Sequence, residues 1–175
     1  MVSKQIIPVL GLQTEVYGLE EYKSLPKGTP VAVMFALHGR LQNQSKMQPI
    51  SEALCSLNKP GSSKRHLLVV TFDAPNHGSR LSHKLANFAW SEGKHKNPNH
   101  AVDMWSMVNS TARTVTELID VLEHYLFGPQ PESLVKVWGV IGFSMGGHST
   151  FMAAASGKRT FYICFLENRL LIYIY

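Results

Sequence analysis

VKVWGVIGFSMGGHS, running from Val135 to Ser149, is the stretch that decides the fold. Its first half is an apolar, β-branched run of strand length, and its second half opens a helix that continues through Thr150 to Ala155. Between them stand Gly142-Phe143-Ser144-Met145-Gly146, the G-x-S-x-G spacing of a serine on a sharp strand-to-helix turn. A side chain at positive φ is costly, and so tight a bend brings strand and helix backbones together. Gly142 and Gly146 supply the room for that approach, and Ser144 is left projecting its hydroxyl from the top of the sheet. The first turn of the helix adds unpaired backbone N–H groups and a positive dipole end, both favourable to an oxyanion. The bland reading of the same letters is a Gly/Ser turn that merely joins two elements. The strand before and the helix after favour the chemical one.

Working outward, two more apolar runs of strand length precede this one. Val31 to Leu37 (VAVMFAL) and Leu67 to Phe72 (LLVVTF) have the continuous hydrophobicity of strands buried on both faces of a parallel sheet. Each runs straight into a polar, glycine-bearing loop: His38-Gly39-Arg40-Leu41-Gln42 after the first, and Asp73-Ala74-Pro75-Asn76-His77-Gly78 after the second. Gly39 lets the backbone turn sharply and aim amide N–H groups into a pocket. Helical spacing predicts a helix over Met47 to Leu57 and a longer one after Asn97-Pro98-Asn99, ended by Gly128-Pro129. The long helix carries the stripe Ala101, Trp105, Val108, Ala112, Val115, Ile119, Leu122 and Leu126, which puts Trp105 in the core. Lys4 to Tyr22 reads as one or two opening strands. Leu81 to Asn99 has poor periodicity and reads as a solvated loop, with a lid or substrate-facing insertion as the functional alternative. Alternating strands and helices predict a three-layer α/β fold with a mostly parallel sheet.

Bulk properties narrow the function classes. The chain has 175 residues, 45% of them hydrophobic and 17% charged, as in ordinary globular domains. A net charge of +5 comes without a dense basic cluster interleaved with aromatics, so no nucleic-acid partner is expected. Cys55 and Cys164 show neither metal-ligand spacing nor a disulfide framework, and neither metal nor cofactor is expected. No apolar stretch has the length of a membrane span, and the N-terminal run Ile6 to Leu12 is too short and too polar in its flank for a signal peptide. These features together describe a cytoplasmic protein without a membrane partner.

Three signals in order now carry a resemblance. A strand then His38-Gly39, a strand then Asp73-Ala74-Pro75-Asn76-His77-Gly78, and a strand then Gly142-Phe143-Ser144-Met145-Gly146-Gly147 resemble the α/β-hydrolase superfamily, in its esterase and prolyl-peptidase-like branch. The likeness runs from about Val31 to Ala155. It implies a serine hydrolase acting on a small-molecule acyl substrate, with Ser144 as nucleophile. The oxyanion hole would be formed by the backbone N–H groups of Met145 and Arg40, whose side chains would then be nearly free to vary. His38, His77 and His148 are secondary candidates. His38 is expected to shape its loop, Asp73 and His77 to fix the loop after their strand, and His148 to pack or cap one turn beyond Ser144.

The chain departs from the family pattern after Ser144. The family's order is serine, acid, histidine, yet only His148 follows Ser144 here. Residues 1–158 therefore read as the N-terminal portion of such a domain and residues 159–175 as a divergent apolar tail. That tail is either a sixth strand with a stub or sequence unrelated to the family, and Glu167 stands where an acid would follow a sixth strand. A hydrolase lacking both acid and histidine is expected to be impaired, and the alternative is an inactive pseudo-hydrolase with a binding role or none. Loss of the later strands would also expose an edge of the strand Val135–Phe143, open to self-association unless Phe161–Leu166 pairs there.

Overall fold

A computed structural model describes residues 2–59, 64–156, 161–167 and 169–174, with the side chains beyond Ser156 left aside. The strands in chain order are β1 (Lys4–Val9), β2 (Leu12–Tyr17), β3 (Val31–Leu37), β4 (His66–Phe72), a two-residue pair β5 (Ser91–Glu92) and β6 (His95–Lys96), β7 (Val135–Phe143), β8 (Phe161–Glu167) and β9 (Arg169–Ile174). The helices are α1 (Leu19–Lys23), α2 (Gln48–Cys55), α3 (His100–Phe127) and α4 (Met145–Ser156). The main sheet has seven strands in the order β1-β2-β4-β3-β7-β8-β9. Its four central strands β4, β3, β7 and β8 are parallel. β2 runs against both β1 and β4, and β9 against β8. This is the mixed, mostly parallel α/β sheet read from the sequence.

The central strands are largely apolar because each face has its own cover. Val33, Phe35 and Leu37 of β3 join Val115, Leu118 and Leu122 of α3 and Ala153 of α4 in the larger core. Ala36 of the same strand joins Met47, Cys55, Val69 and Ile141 on the opposite face, where α2 lies. Alternating side chains thus feed two layers, as strand geometry requires. Across the sheet, the Phe35 and Trp138 rings stack with centroids 5.9 Å apart.

Trp105 departs from expectation: it is 62% exposed. A 3.5-residue repeat drifts by roughly 20° per heptad on a straight helix. Followed back from Ile119, the buried line leaves Trp105 and passes through Met107 and the half-buried Met104, which pack with Ala74 and Met145. At the other end of the chain, β8 pairs with β7 from Trp138↔Phe161 to Phe143↔Leu166. The edge of β7 is therefore occupied, and β9 is the outer strand. The Glu167 carboxylate lies outside the described side chains.

Candidate active site

Three loops leave the carboxyl ends of the neighbouring strands β4, β3 and β7, and each has one non-glycine residue at positive φ: Asn76 (59°), Leu41 (62°) and Ser144 (51°). A residue held there costs on the order of 1 kcal/mol or more and persists only where its surroundings over-determine it. For Ser144 the surroundings are two glycines. A Cβ on Gly142 would stand 2.3 Å from the Gly146 carbonyl, and one on Gly146 2.3 Å from the Leu37 carbonyl oxygen and 2.7 Å from that of His38. The bend between β7 and α4 is thus closed against the exit of β3, which brings the serine turn and the His38–Gln42 loop together. Ser144 is exposed, and its carbonyl accepts the His148 N–H at 3.1 Å to start the helix. The exposed Phe143 ring lies on Gly39, where an added Cβ would meet its Cδ1 at 2.9 Å.

The His38 and Asp73 loops are cross-tied by two buried histidines, each 2% exposed. Nδ1–H of His38 donates to the carbonyl of Gly39 in its own loop (2.8 Å), and its Nε2 accepts the Ala74 N–H of the other loop (3.0 Å). His77 returns the pattern. Its Nδ1–H donates to the Pro75 carbonyl (2.9 Å), and its Nε2 accepts the Leu41 N–H (3.1 Å). A ring donating at Nδ1 and accepting at Nε2 is neutral. For His38, burial holds the pKa below its ordinary value, helped by His77 and opposed by the Gly39 carbonyl and Asp73. Asp73 adds a third tie: one carboxylate oxygen accepts the Gln44 N–H (2.8 Å), the other the Ser79 N–H (2.7 Å) and hydroxyl (2.8 Å). Gly78 is required beside it, since φ there is +51° and a Cβ would lie 2.2 Å from the carboxylate.

These ties account for most amides of the His38–Gln42 loop. The Gly39 N–H donates to Gln42 Oε1 (3.0 Å), the Gln42 N–H to the Gly39 carbonyl (3.2 Å), and the Leu41 N–H to His77. Among the described residues, the N–H groups of Arg40 and Met145 donate to no partner. Their side chains are not free to vary as expected. Met145 is buried against Ala74, Met107 and Val108, because α4 begins over the core. The Arg40 guanidinium donates to the Asn87 carbonyl (2.7 Å) and to Glu92 Oε2 (3.0 Å).

That clamp leads into the segment read as a solvated loop, which is organised. Asn76 Oδ1 accepts the N–H groups of Ser82 and His83, and its Nδ2 donates to the His83 carbonyl and Asn87 Oδ1. Asn97, also buried, donates to the carbonyls of Ala86 and Phe88 and to Asp103 of α3. Side-chain amides supply the turns that a hydrophobic pattern does not reveal. Gln42, Asn76, Asn87, Glu92 and Asn97 were accordingly missed as site-shaping residues; turn-forming composition signals the three asparagines, and nothing signals Gln42 or Glu92. His148 is exposed and lies one helical turn from Ser144. Among the described residues no three His, Cys, Asp or Glu side chains gather as a metal site, and no helix is long and apolar enough to cross a membrane.

The strand order, the serine at positive φ between β7 and α4, and the loop abutting it define an α/β-hydrolase fold. One solved structure agrees at the level of the fold. TT1662 from Thermus thermophilus matches with a TM-score of 0.50 and 19% identity, over 93% of this chain and 56% of that one. The epoxide hydrolase VrEH1 from Vigna radiata (TM-score 0.46, 10% identity, 93% of this chain and 38% of that one) and ferulic-acid-bound Est1E from Butyrivibrio proteoclasticus (TM-score 0.47, 14% identity, 86% and 47%) are also similar. The chain spans about half the length of these structures. No protein-family model and no curated protein matches it in sequence.

Proposed function

We propose that this chain carries the nucleophile and oxyanion donors of a serine hydrolase acting on carboxylic esters or related acyl bonds. The observation that carries the reading is the pairing of an exposed serine at φ 51° with a second loop packed against its turn. The Met145 and Arg40 N–H groups, without partners among the described residues, belong to those two segments. In the reaction, Ser144 Oγ attacks the acyl carbon and its proton passes to solvent water, which returns one to the leaving group. The carbonyl oxygen becomes an oxyanion facing the two amides, each worth roughly 10²–10³ in rate where such a donor has been removed. Collapse breaks the bond to the leaving group, which departs with a proton, and water then hydrolyses the acyl-serine. The small molecule meets an apolar rim, for Leu41 and Phe143 are both exposed beside the donors.

Neither buried histidine is available as the base, since both nitrogens of each ring are engaged with backbone groups. Without a base turnover is expected to fall by about 10⁶, leaving about 10³–10⁴ over water from the oxyanion hole and binding. The same observation favours a second reading, an inactive binder of acyl compounds. A fluorophosphonate probe separates the two. Stoichiometric labelling of Ser144, lost in Ser144→Ala together with p-nitrophenyl acetate turnover, supports the hydrolase. Folded protein that stays unlabelled supports the binder. Assignment to the cytoplasm rests on the cysteines: Cys55 is free and buried.

A further inference from the structure

We infer that His77 is a positioning residue that sets the turn type of the oxyanion loop, and so holds the Arg40 amide in place. The inference rests on the hydrolase reading above and deepens it. Gly39 to Gln42 form a β-turn closed by the 3.2 Å bond from the Gln42 N–H to the Gly39 carbonyl. With φ positive at Leu41 and not at Arg40, it follows the type II pattern, whose third position ordinarily calls for glycine. Leucine there favours the type I alternative, reached by rotating the Arg40–Leu41 peptide so that the Leu41 φ becomes negative. Such a rotation swings the Leu41 N–H away from His77 and turns the Arg40 carbonyl towards the bare Nε2, exchanging a hydrogen bond for lone-pair repulsion. His77 thus holds the peptide in the costly arrangement.

The ring itself is fixed for this task. Nδ1–H is tied to the Pro75 carbonyl at 2.9 Å, which leaves Nε2 as an acceptor, and the ring is buried against His38 with centroids 5.3 Å apart. With the Gly39, Leu41 and Gln42 amides engaged, the Arg40 N–H alone in the turn is left without a partner among the described residues. Loosening the turn displaces that donor, and a misplacement of about 1 Å in a catalytic group can cost on the order of a hundredfold.

The test compares His77→Leu, which keeps bulk and loses the acceptor, with His77→Gln, whose amide oxygen reaches about where Nε2 lies. In the wild type, a trans-hydrogen-bond ¹⁵N–¹⁵N coupling between the Leu41 amide and His77 Nε2 reads the bond without any substitution. The expected results are that coupling, slow exchange of the Leu41 amide in wild type and His77→Gln, and fast exchange in His77→Leu. Fluorophosphonate labelling of Ser144 is expected to slow at least tenfold in His77→Leu at unchanged probe affinity, and to recover to within about threefold of wild type in His77→Gln. Absence of the coupling overturns the inference even if His77→Leu does not fold, and so does folded His77→Leu that labels at the wild-type rate. An unlabelled wild type with a protected Leu41 amide overturns the hydrolase reading, and with it the catalytic half of this inference, while leaving the tie itself demonstrated.

Discussion

Among the described residues two kinds of strained turn stand apart, and they differ in what depends on them. Leu10 (φ 51°) and Gly11 (φ 75°) close the hairpin between β1 and β2, with Leu10 half exposed and nothing packed around Gly11. Asn76, Leu41 and Ser144 are equally strained but sit at the exits of three adjacent strands: Leu41 and the Ser144 turn are held by groups from a neighbouring loop, and Asn76 by Asn87 of its own, whose carbonyl also accepts from Arg40. The hairpin turn serves local geometry alone. The exit turns are mutually dependent, so relieving one disturbs the others. Strain over-determined by its surroundings marks a site under functional constraint.

The largest effect that this contrast predicts is at Gly146. Gly146→Ala forces a methyl into the Leu37 and His38 carbonyls, and α4 cannot yield without opening the serine turn. A loss of at least about 3 kcal/mol is expected, read as a shift of the urea midpoint. An unshifted midpoint breaks the claim that the turn is wedged against β3. Asp73→Ala follows at about 3 kcal/mol or less, because it strands the buried N–H of Gln44 and releases the more exposed N–H of Ser79. Asp73→Asn keeps one of the two accepting oxygens and is expected to recover part of this, and equal losses would show that the loop needs both oxygens as acceptors.

How much of this was legible follows from the range of each interaction. The G-x-S-x-G turn is steric and local, so two glycines around one serine sufficed to place it, and the apolar runs of β3, β4 and β7 gave the sheet. His38 and His77 stood out as loop residues, but their reciprocal exchange of amides requires knowing that two loops 36 residues apart in sequence face each other. The Asn76 and Asn97 networks have no period at all, which is why residues 81–99 read as a solvated loop. Trp105 fell outside the core because a 3.5-residue pattern was extended too far along a straight helix.

A smaller effect concerns pH. The folded-state pKa of His38 lies below its ordinary value of 6.5, mainly through burial. As pH falls past about 6.5, the unfolded chain takes up a proton that the folded one refuses. Stability from this site is therefore complete above that value and drains away as pH falls towards the folded pKa. Urea midpoints measured across this window should decline in the wild type and flatten in His38→Gln. An unchanged slope in the variant would show that the cross-tie does not depend on a neutral ring.

The smallest effect sharpens the comparison from the other side. Leu10→Asn replaces a β-carbon-crowded residue with one that tolerates the left-handed region, and it creates the Asn-Gly pair that two-residue hairpins favour. The flanking pair Val9↔Leu12 keeps its register, and the half-exposed leucine gives up little buried surface. A gain of about 0.5–1 kcal/mol is expected in the urea midpoint. Because no strand-exit loop leans on this turn, labelling of Ser144 should proceed at the wild-type rate. A labelling rate that moves with the stability would mean that the hairpin communicates with the serine turn across β2 and β4, and the division between local and shared strain would no longer hold.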